Sequence, residues 1–215
     1  MMKKTCLAAA VLAAFSTPIF ANDESNSNWI FRTGVAQVTP NDDSGTILGG
    51  SVGVDSSTGV GLSLTYMLDS NWGIEVLGAL PFTHDIEGSG ALSGVSIGET
   101  KQLPPTFSLI YQWGNETKYH VGAGLNYTEF FDEKSDADLN NALGVQSDLE
   151  LDSSTGLAVK FGFDTPVSKN WNFSGSLYYI QIDTTADVIV NNAVAASVDV
   201  DIDPWVLMLG VSTQF

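Results

Sequence analysis

The chain has 215 residues, 44% of them hydrophobic and only 15% charged, with 25 acidic residues against 8 basic ones and a formal net charge of −17. So acidic a field repels phosphate backbones and excludes nucleic acid as an expected partner. One cysteine, Cys6, and two histidines, His84 and His120, are too few for a Cys/His metal centre, and no cofactor is expected.

Taken from the start, Lys3 and Lys4 precede an apolar run from Leu7 to Phe15, followed by Pro18 and Ile19-Phe20-Ala21. This pattern predicts a secretory signal peptide over residues 1–21, cleaved after Ala21, and one domain over 22–215. Cys6 precedes the apolar run, so lipoprotein processing is not expected, and the mature chain would contain no thiol. Removing the signal leaves 6 basic residues against 25 acidic ones, a net charge of −19. No later segment reaches the ~18 consecutive apolar residues of a membrane-spanning helix. Any membrane contact must be made by strands.

Period-two alternation predicts eight strands of about 9–11 residues. The first, Trp29–Thr39, sets Trp29, Phe31 and Val35 against Arg32, Gly34 and Ala36. In the second, Gly59–Leu68, Val60, Leu62, Leu64, Tyr66 and Leu68 alternate with Gly61, Ser63, Thr65 and Met67. The third, Trp72–Leu80, opposes Trp72, Ile74, Val76 and Leu80 to Glu75, Leu77 and Ala79. The fourth, Leu103–Trp113, sets Phe107, Leu109, Tyr111 and Trp113 against Thr106, Ser108, Ile110 and Gln112. The fifth, Lys118–Phe131, and the sixth, Gly156–Thr165, put His120, Gly122, Lys160 and Asp164 on the small or polar side. The seventh is Trp171–Gln181. The last, Trp205–Phe215, places Trp205, Leu207, Leu209, Val211 and Phe215 on one face.

Connections alternate in length. Asp69–Asn71, Gly114–Thr117 and Pro166–Asn170 are tight turns, whereas 40–58, 81–102, 132–155 and 182–203 are long. Trp29, Trp72, Trp113, Trp171 and Tyr119 lie beside the short-turn end, where an interfacial girdle belongs. These features predict an all-β fold: an eight-stranded antiparallel transmembrane β-barrel in the bacterial outer membrane, with long loops extracellular and both termini periplasmic. A soluble barrel would turn its apolar face inward and need an outer face rich in Lys, Glu and Asp. Here that second face is mostly Gly, Ser, Thr and Ala, which suits a narrow lumen.

Most acidic residues fall in the long connections, accompanied only by Lys101 and Lys134. The same segments contain apolar stretches at Ala91–Ile97, Ala142–Val145 and Ala186–Val198, the last reading as a hairpin that turns at Asn191-Asn192. Such surfaces either pack as a cap or line a path for ligand. Inside the barrel, Arg32, Glu75 and Lys160 are expected as ion pairs or as a constriction, with Asp164 on the same inward side. His84-Asp85 with Ser89 could imitate a catalytic triad, but neighbours on a strand point to opposite faces, and no enzyme is expected. His120 reads as a hydrogen-bonding residue of the lumen.

The chain resembles the outer-membrane protein W (OmpW) family of small barrels. The resemblance is carried by Gly98-Glu-Thr-Lys-Gln-Leu-Pro-Pro105, by Arg32-x-Gly34, by Phe130-Phe-Asp-Glu133, and by Asp203-Pro204 ahead of the strand that ends in Phe215. Ser212-Thr-Gln-Phe215 departs from the family's usual aromatic and basic residues before the last Phe. The resemblance implies a narrow channel for uptake of small hydrophobic molecules, entered through an apolar extracellular funnel. On that basis the expected ligand path is Leu92, Val95, Ile97, Leu143, Val188 and Val190, and Phe215 is the expected assembly signal. Expected partners are outer-membrane lipid and lipopolysaccharide, the barrel-assembly machinery and small hydrophobic solutes, with the chain a monomer. The alternative is a structural or surface-interaction barrel that contacts ions, cells or partners through its acidic loops without transport.

Overall fold

The computed structural model describes residues 28–41, 46–47 and 50–215. The expected signal peptide and Cys6 lie outside the described residues. In chain order the elements are β1 (Trp29–Thr39), β2 (Thr46–Ile47), β3 (Gly50–Val54), β4 (Ser57–Met67), β5 (Trp72–Ala79), β6 (Phe82–Gly90), β7 (Ser96–Leu103) and β8 (Thr106–Trp113). There follow β9 (Lys118–Ser135), α1 (Ala137–Leu143), β10 (Asp148–Leu151), β11 (Ser154–Pro166), β12 (Asn172–Ile180), β13 (Asp183–Val190), β14 (Ala193–Asp201) and β15 (Trp205–Gln214).

Eight of these strands close into an antiparallel barrel in the order β1-β4-β5-β8-β9-β11-β12-β15. The seam between the first and last strands is paired from Ile30↔Gln214 to Thr39↔Trp205. Beyond that ladder, the Phe215 amide donates to the Trp29 carbonyl at 3.0 Å, and the Trp29 amide to the Phe215 carbonyl at 3.3 Å. Gly34 and Gly210 face each other across the seam. A Cβ at either would stand within 2.2 Å of a backbone carbonyl oxygen of the other strand, so the strands approach this closely only because both residues lack a side chain.

Alternation holds on every barrel strand. Val35, Leu68, Phe107, Leu125, Leu157 and Leu209 are exposed on the outer wall, while Arg32, Thr65, Glu75, Ser108, His120 and Lys160 are buried inside. An apolar exterior around a polar interior inverts the arrangement of a soluble barrel and suits a hydrocarbon solvent. Aromatic pairs ring the short-turn end: Trp29 with Tyr66 at 4.8 Å between centroids, Trp72 with Tyr111 at 5.0 Å, and Trp113 with Tyr119 at 6.0 Å. At the opposite end of the barrel Tyr179 meets Trp205 at 5.2 Å. The tight turn at Asp69 is set by its own carboxylate, which accepts the amides of Asn71 and Trp72, each at 2.7 Å.

Two expectations need correction. The fourth strand does not begin at Leu103. Pro104 and Pro105 have no amide hydrogen to donate, so β8 starts at Thr106, and Leu103 ends a different strand, β7. The long connections are also largely strands rather than loops. β9 continues past Phe131 to Ser135, its far half pairs with β7, and β6, β3 and β2 add on in turn. The third connection carries the short helix α1, capped by the Asp136 carboxylate and by Gly144 at φ 70°. As expected, β13 and β14 form a hairpin at Asn191-Asn192, whose φ values of 50° and 63° suit asparagine in a tight turn. With β10 they make a second, three-stranded sheet.

These two outer sheets explain why the acidic end is rich in valine. On β10, Leu149 and Leu151 are buried while Asp148 and Glu150 are exposed; on β14, Val198 and Val200 are buried while Asp199 and Asp201 are exposed. Phe82, His84 and Ile86 likewise point inward from β6, with Asp85 and Glu87 outward. The acids form a wetted outer shell. The apolar faces turn toward one another as a continuous core from Val52 to Ile202, which meets the upper barrel residues Ala36, Ile180 and Met208.

Candidate functional site

The lumen is filled at mid-height by charged side chains from β1, β5 and β11. Arg32 Nη2 lies 2.7 Å from Asp164 Oδ2, and its Nε donates to the same carboxylate. Its Nη1 reaches Glu75 Oε2 at 3.2 Å and Thr65 Oγ1 at 2.8 Å. Lys160 Nζ sits 2.6 and 2.7 Å from the two Glu75 oxygens and 5.0 Å from the centre of the Tyr178 ring. Ser63, Thr65 and Tyr178 hydroxyls donate to Glu75 as well. Two cations and two anions cancel, and their remaining hydrogen-bonding capacity is widely used, as charges removed from water require. Room for His120 is made by Gly162 opposite, where a Cβ would fall 2.2 Å from the imidazole. Arg32, Thr65 and His120 expose no measurable surface. The arrangement is a plug.

Above it lies space. The outer sheets and α1 enclose a cavity of about 120 Å³ lined by side chains such as Val54, Ile86, Leu139, Leu151, Ala186 and Val200. A smaller chamber of about 20 Å³ lies next to the plug, lined by Leu77, Gly78, Pro104, Ile180, Pro204 and Met208. Asp203, at φ 35°, turns the chain from the outer sheet into β15, and its carboxylate accepts the Ile182 amide at 3.0 Å and the Tyr179 hydroxyl at 2.9 Å. This gives the Asp203-Pro204 dipeptide a structural task.

Polar groups are sparse on the larger cavity's wall. His84 Nδ1 is 2.8 Å from the Asp55 carbonyl, and His84 Nε2 is 2.9 Å from Gln102 Nε2. Burial lowers the His84 pKa below its ordinary value, against the opposing pull of the Asp55 carbonyl and the Asp85 charge. Asp85 points to the other side of β6, and the Ser89 hydroxyl is 2.6 Å from that of Ser51, so the three residues do not assemble a triad.

Of the residues expected on the ligand path, Leu92, Ile97, Leu143 and Val188 lie on the cavity wall. Two do not. Val95 packs against the surrounding apolar cluster without lining the cavity, and Val190 sits half-buried at the hairpin tip, where its strand has run past the enclosed space. Arg32, Glu75 and Lys160 meet as ion pairs, with Asp164 completing them. Sequence reasoning missed Val52, Val54, Ile86, Leu149, Leu151 and Gln102. The signal for Ile86, Leu149 and Leu151 was present, since Phe82-Thr-His-Asp-Ile86 and Asp148-Leu-Glu-Leu151 alternate as cleanly as the barrel strands.

Known proteins of this shape and sequence follow the same plan. The OmpW family model matches residues 25–215. The chain is 46% identical to outer membrane protein W of Vibrio cholerae and 36% identical to that of Escherichia coli, each alignment spanning the whole of both chains. It is similar to the crystal structure of the outer membrane protein OprG from Pseudomonas aeruginosa, with a TM-score of 0.79 and 36% identity over 88% of this chain and 96% of that one. Apolar wall, alternating turn lengths and full-length similarity agree, and the chain belongs to the OmpW family, as a β-barrel of the bacterial outer membrane.

Proposed function

We propose that this barrel admits small hydrophobic molecules to the outer membrane, receiving them in the extracellular vestibule and releasing them sideways. The observation that carries this reading is the apolar cavity of about 120 Å³ enclosed by the outer sheets, beyond the membrane and directly above a plugged lumen. Apolar walls favour an apolar solute by about 25 cal/mol per Å² buried, so about 200 Å² of contact contributes roughly 5 kcal/mol before the cost of association. Straight passage down the axis would require separating Arg32 and Lys160 from their carboxylates, which is costly for charges so deeply buried. A side route leaves those ion pairs intact. Pairing between the third and fourth barrel strands ends at Leu77↔Thr106 and resumes in the outer sheet at Phe82↔Gln102, interrupted around Pro81, Pro104 and Pro105 beside the smaller chamber.

The test is uptake of a small apolar dye by proteoliposomes, comparing the unaltered protein with Leu92→Asp and Val188→Asp, and using a small hydrophilic solute as control. Both substitutions put a carboxylate on the cavity wall and should lower dye uptake about tenfold without changing the control. Unchanged uptake in well-folded barrels would favour the other reading, a surface-interaction barrel presenting the exposed acids Asp85, Glu150 and Asp199.

A further inference from the structure

Gln102 stands where the two apolar spaces meet, lining both, and only 2% of its surface is exposed. Its orientation follows from its neighbours. The Asp55 carbonyl can only accept, so His84 Nδ1, 2.8 Å away, carries the ring hydrogen. Burial keeps the imidazole neutral, leaving His84 Nε2 as a bare lone pair, and the group that can face it at 2.9 Å is the NH2 of Gln102. Turning the amide over would set oxygen against that lone pair. The result is that Gln102 Oε1 is committed away from His84 and, among the described residues, accepts no hydrogen bond. Thr100, the remaining polar side chain on the cavity wall, directs its own hydroxyl toward the Lys101 carbonyl.

A buried carbonyl without a donor is unfavourable, and in an otherwise apolar space the group best able to relieve it is one that arrives with the ligand. We propose that Gln102 makes the vestibule selective for apolar molecules bearing one hydrogen-bond donor, such as primary alcohols, over hydrocarbons and ethers of equal size. The inference rests on the reading of the vestibule as a receiving site and names the class of molecule it prefers. A hydroxyl at the junction donates to Gln102 Oε1 while its alkyl chain fills the cavity. An ether presents only an oxygen, which opposes the carbonyl, and a hydrocarbon leaves it unpaired.

The experiment compares two isomers of identical composition, 1-hexanol and methyl pentyl ether, binding to the full-length protein in lipid nanodiscs. Affinities are read from side-chain NMR titrations and corrected for partition into protein-free discs. The alcohol should bind about three- to tenfold more tightly than the ether, the size expected of one neutral hydrogen bond, and should shift the Gln102 side-chain carbonyl resonance. Gln102→Met combined with His84→Phe, which removes the carbonyl together with the imidazole lone pair that the lost amide would leave open, should bring the isomers to equal affinity. Equal binding to the unaltered protein would overturn the selectivity while leaving the receiving site in place. Binding of neither isomer would overturn both. A preference for alcohol that persists in the Gln102→Met, His84→Phe double variant would also overturn it. Should that variant fail to fold, the carbonyl resonance of the unaltered protein still decides, since a shift with alcohol and none with ether supports the contact and no shift with either overturns it.

Discussion

Arg32 on β1 and Asp164 on β11 meet inside the barrel at 2.7 Å, although 132 positions separate them in the chain. Arg32 also holds Glu75, so removing it leaves Lys160 alone to balance two buried carboxylates. Arg32→Met should lower stability by about 3–5 kcal/mol. Adding Asp164→Asn restores neutrality and should recover part of the loss, as measured by urea unfolding in lipid vesicles. Equal stability of the single and double variants would show that the charge balance contributes nothing.

Leu64 and Ser63 are adjacent on β4 but face opposite solvents, lipid and lumen. Leu64→Arg should cost roughly 2–4 kcal/mol if it lies near the bilayer midplane, and should reduce insertion. Ser63→Ala, which removes a weak 3.3 Å bond to Glu75 and leaves all four lumen charges in place, should insert normally. Ser63→Arg is a poor probe of the lumen because it would force a third cation into a filled space. Heat-modifiable mobility of membrane fractions reads both expected outcomes.

Phe215 completes the seam with two backbone hydrogen bonds to Trp29. Deleting it removes both bonds and the terminal aromatic ring, so the amount of folded protein in the outer membrane should fall while the molecules that insert behave normally. Unchanged levels in the deletion strain would remove its role in assembly.

The outer sheet should loosen in mild acid. His84 has its pKa lowered in the folded protein, so above its ordinary value near 6.5 both folded and unfolded forms are neutral and no penalty applies. As pH falls through that value the unfolded segment gains a proton that the folded one resists, and stability is lost. Hydrogen-exchange protection factors across the β6–β7 hairpin, which allow for the intrinsic slowing of exchange in acid, should fall between pH 7 and 5, and His84→Gln should weaken that dependence.

The barrel is legible in the sequence because lipid and lumen impose opposite demands on successive residues. Leu64 and Ser63, or Phe161 and Lys160, carry the mark of both solvents. The vestibule is less legible. Val198-Asp-Val-Asp201 has the same alternation, but its outer residues are charged, and that resembles a solvated loop until a second sheet is known to cover the valines. The break at Pro104-Pro105 can be read from proline chemistry, whereas the pairing of Gln102 with His84 depends on strands brought together by tertiary structure and leaves no local mark. Val190 falls beyond the wall because periodicity gives the face of a strand and not where the cavity ends.

β9 runs for 18 residues as one strand, about 60 Å if fully extended and thus roughly twice the thickness of the hydrocarbon it crosses. Its far half holds β7, so this outer sheet is anchored in the same rod that anchors the barrel. Among the described residues, the outermost exposed positions on these sheets are consequently Ala91, Ser93, Gly94, Asn191 and Asn192 at the tips, with outward residues such as Asp85 and Glu150 along the strands. Substitution is open at Asp85 and Glu150 and closed one residue away, where Ile86 and Leu151 answer to the packing of the cavity wall, while Gly94, Asn191 and Asn192 are held to their residue types by positive φ.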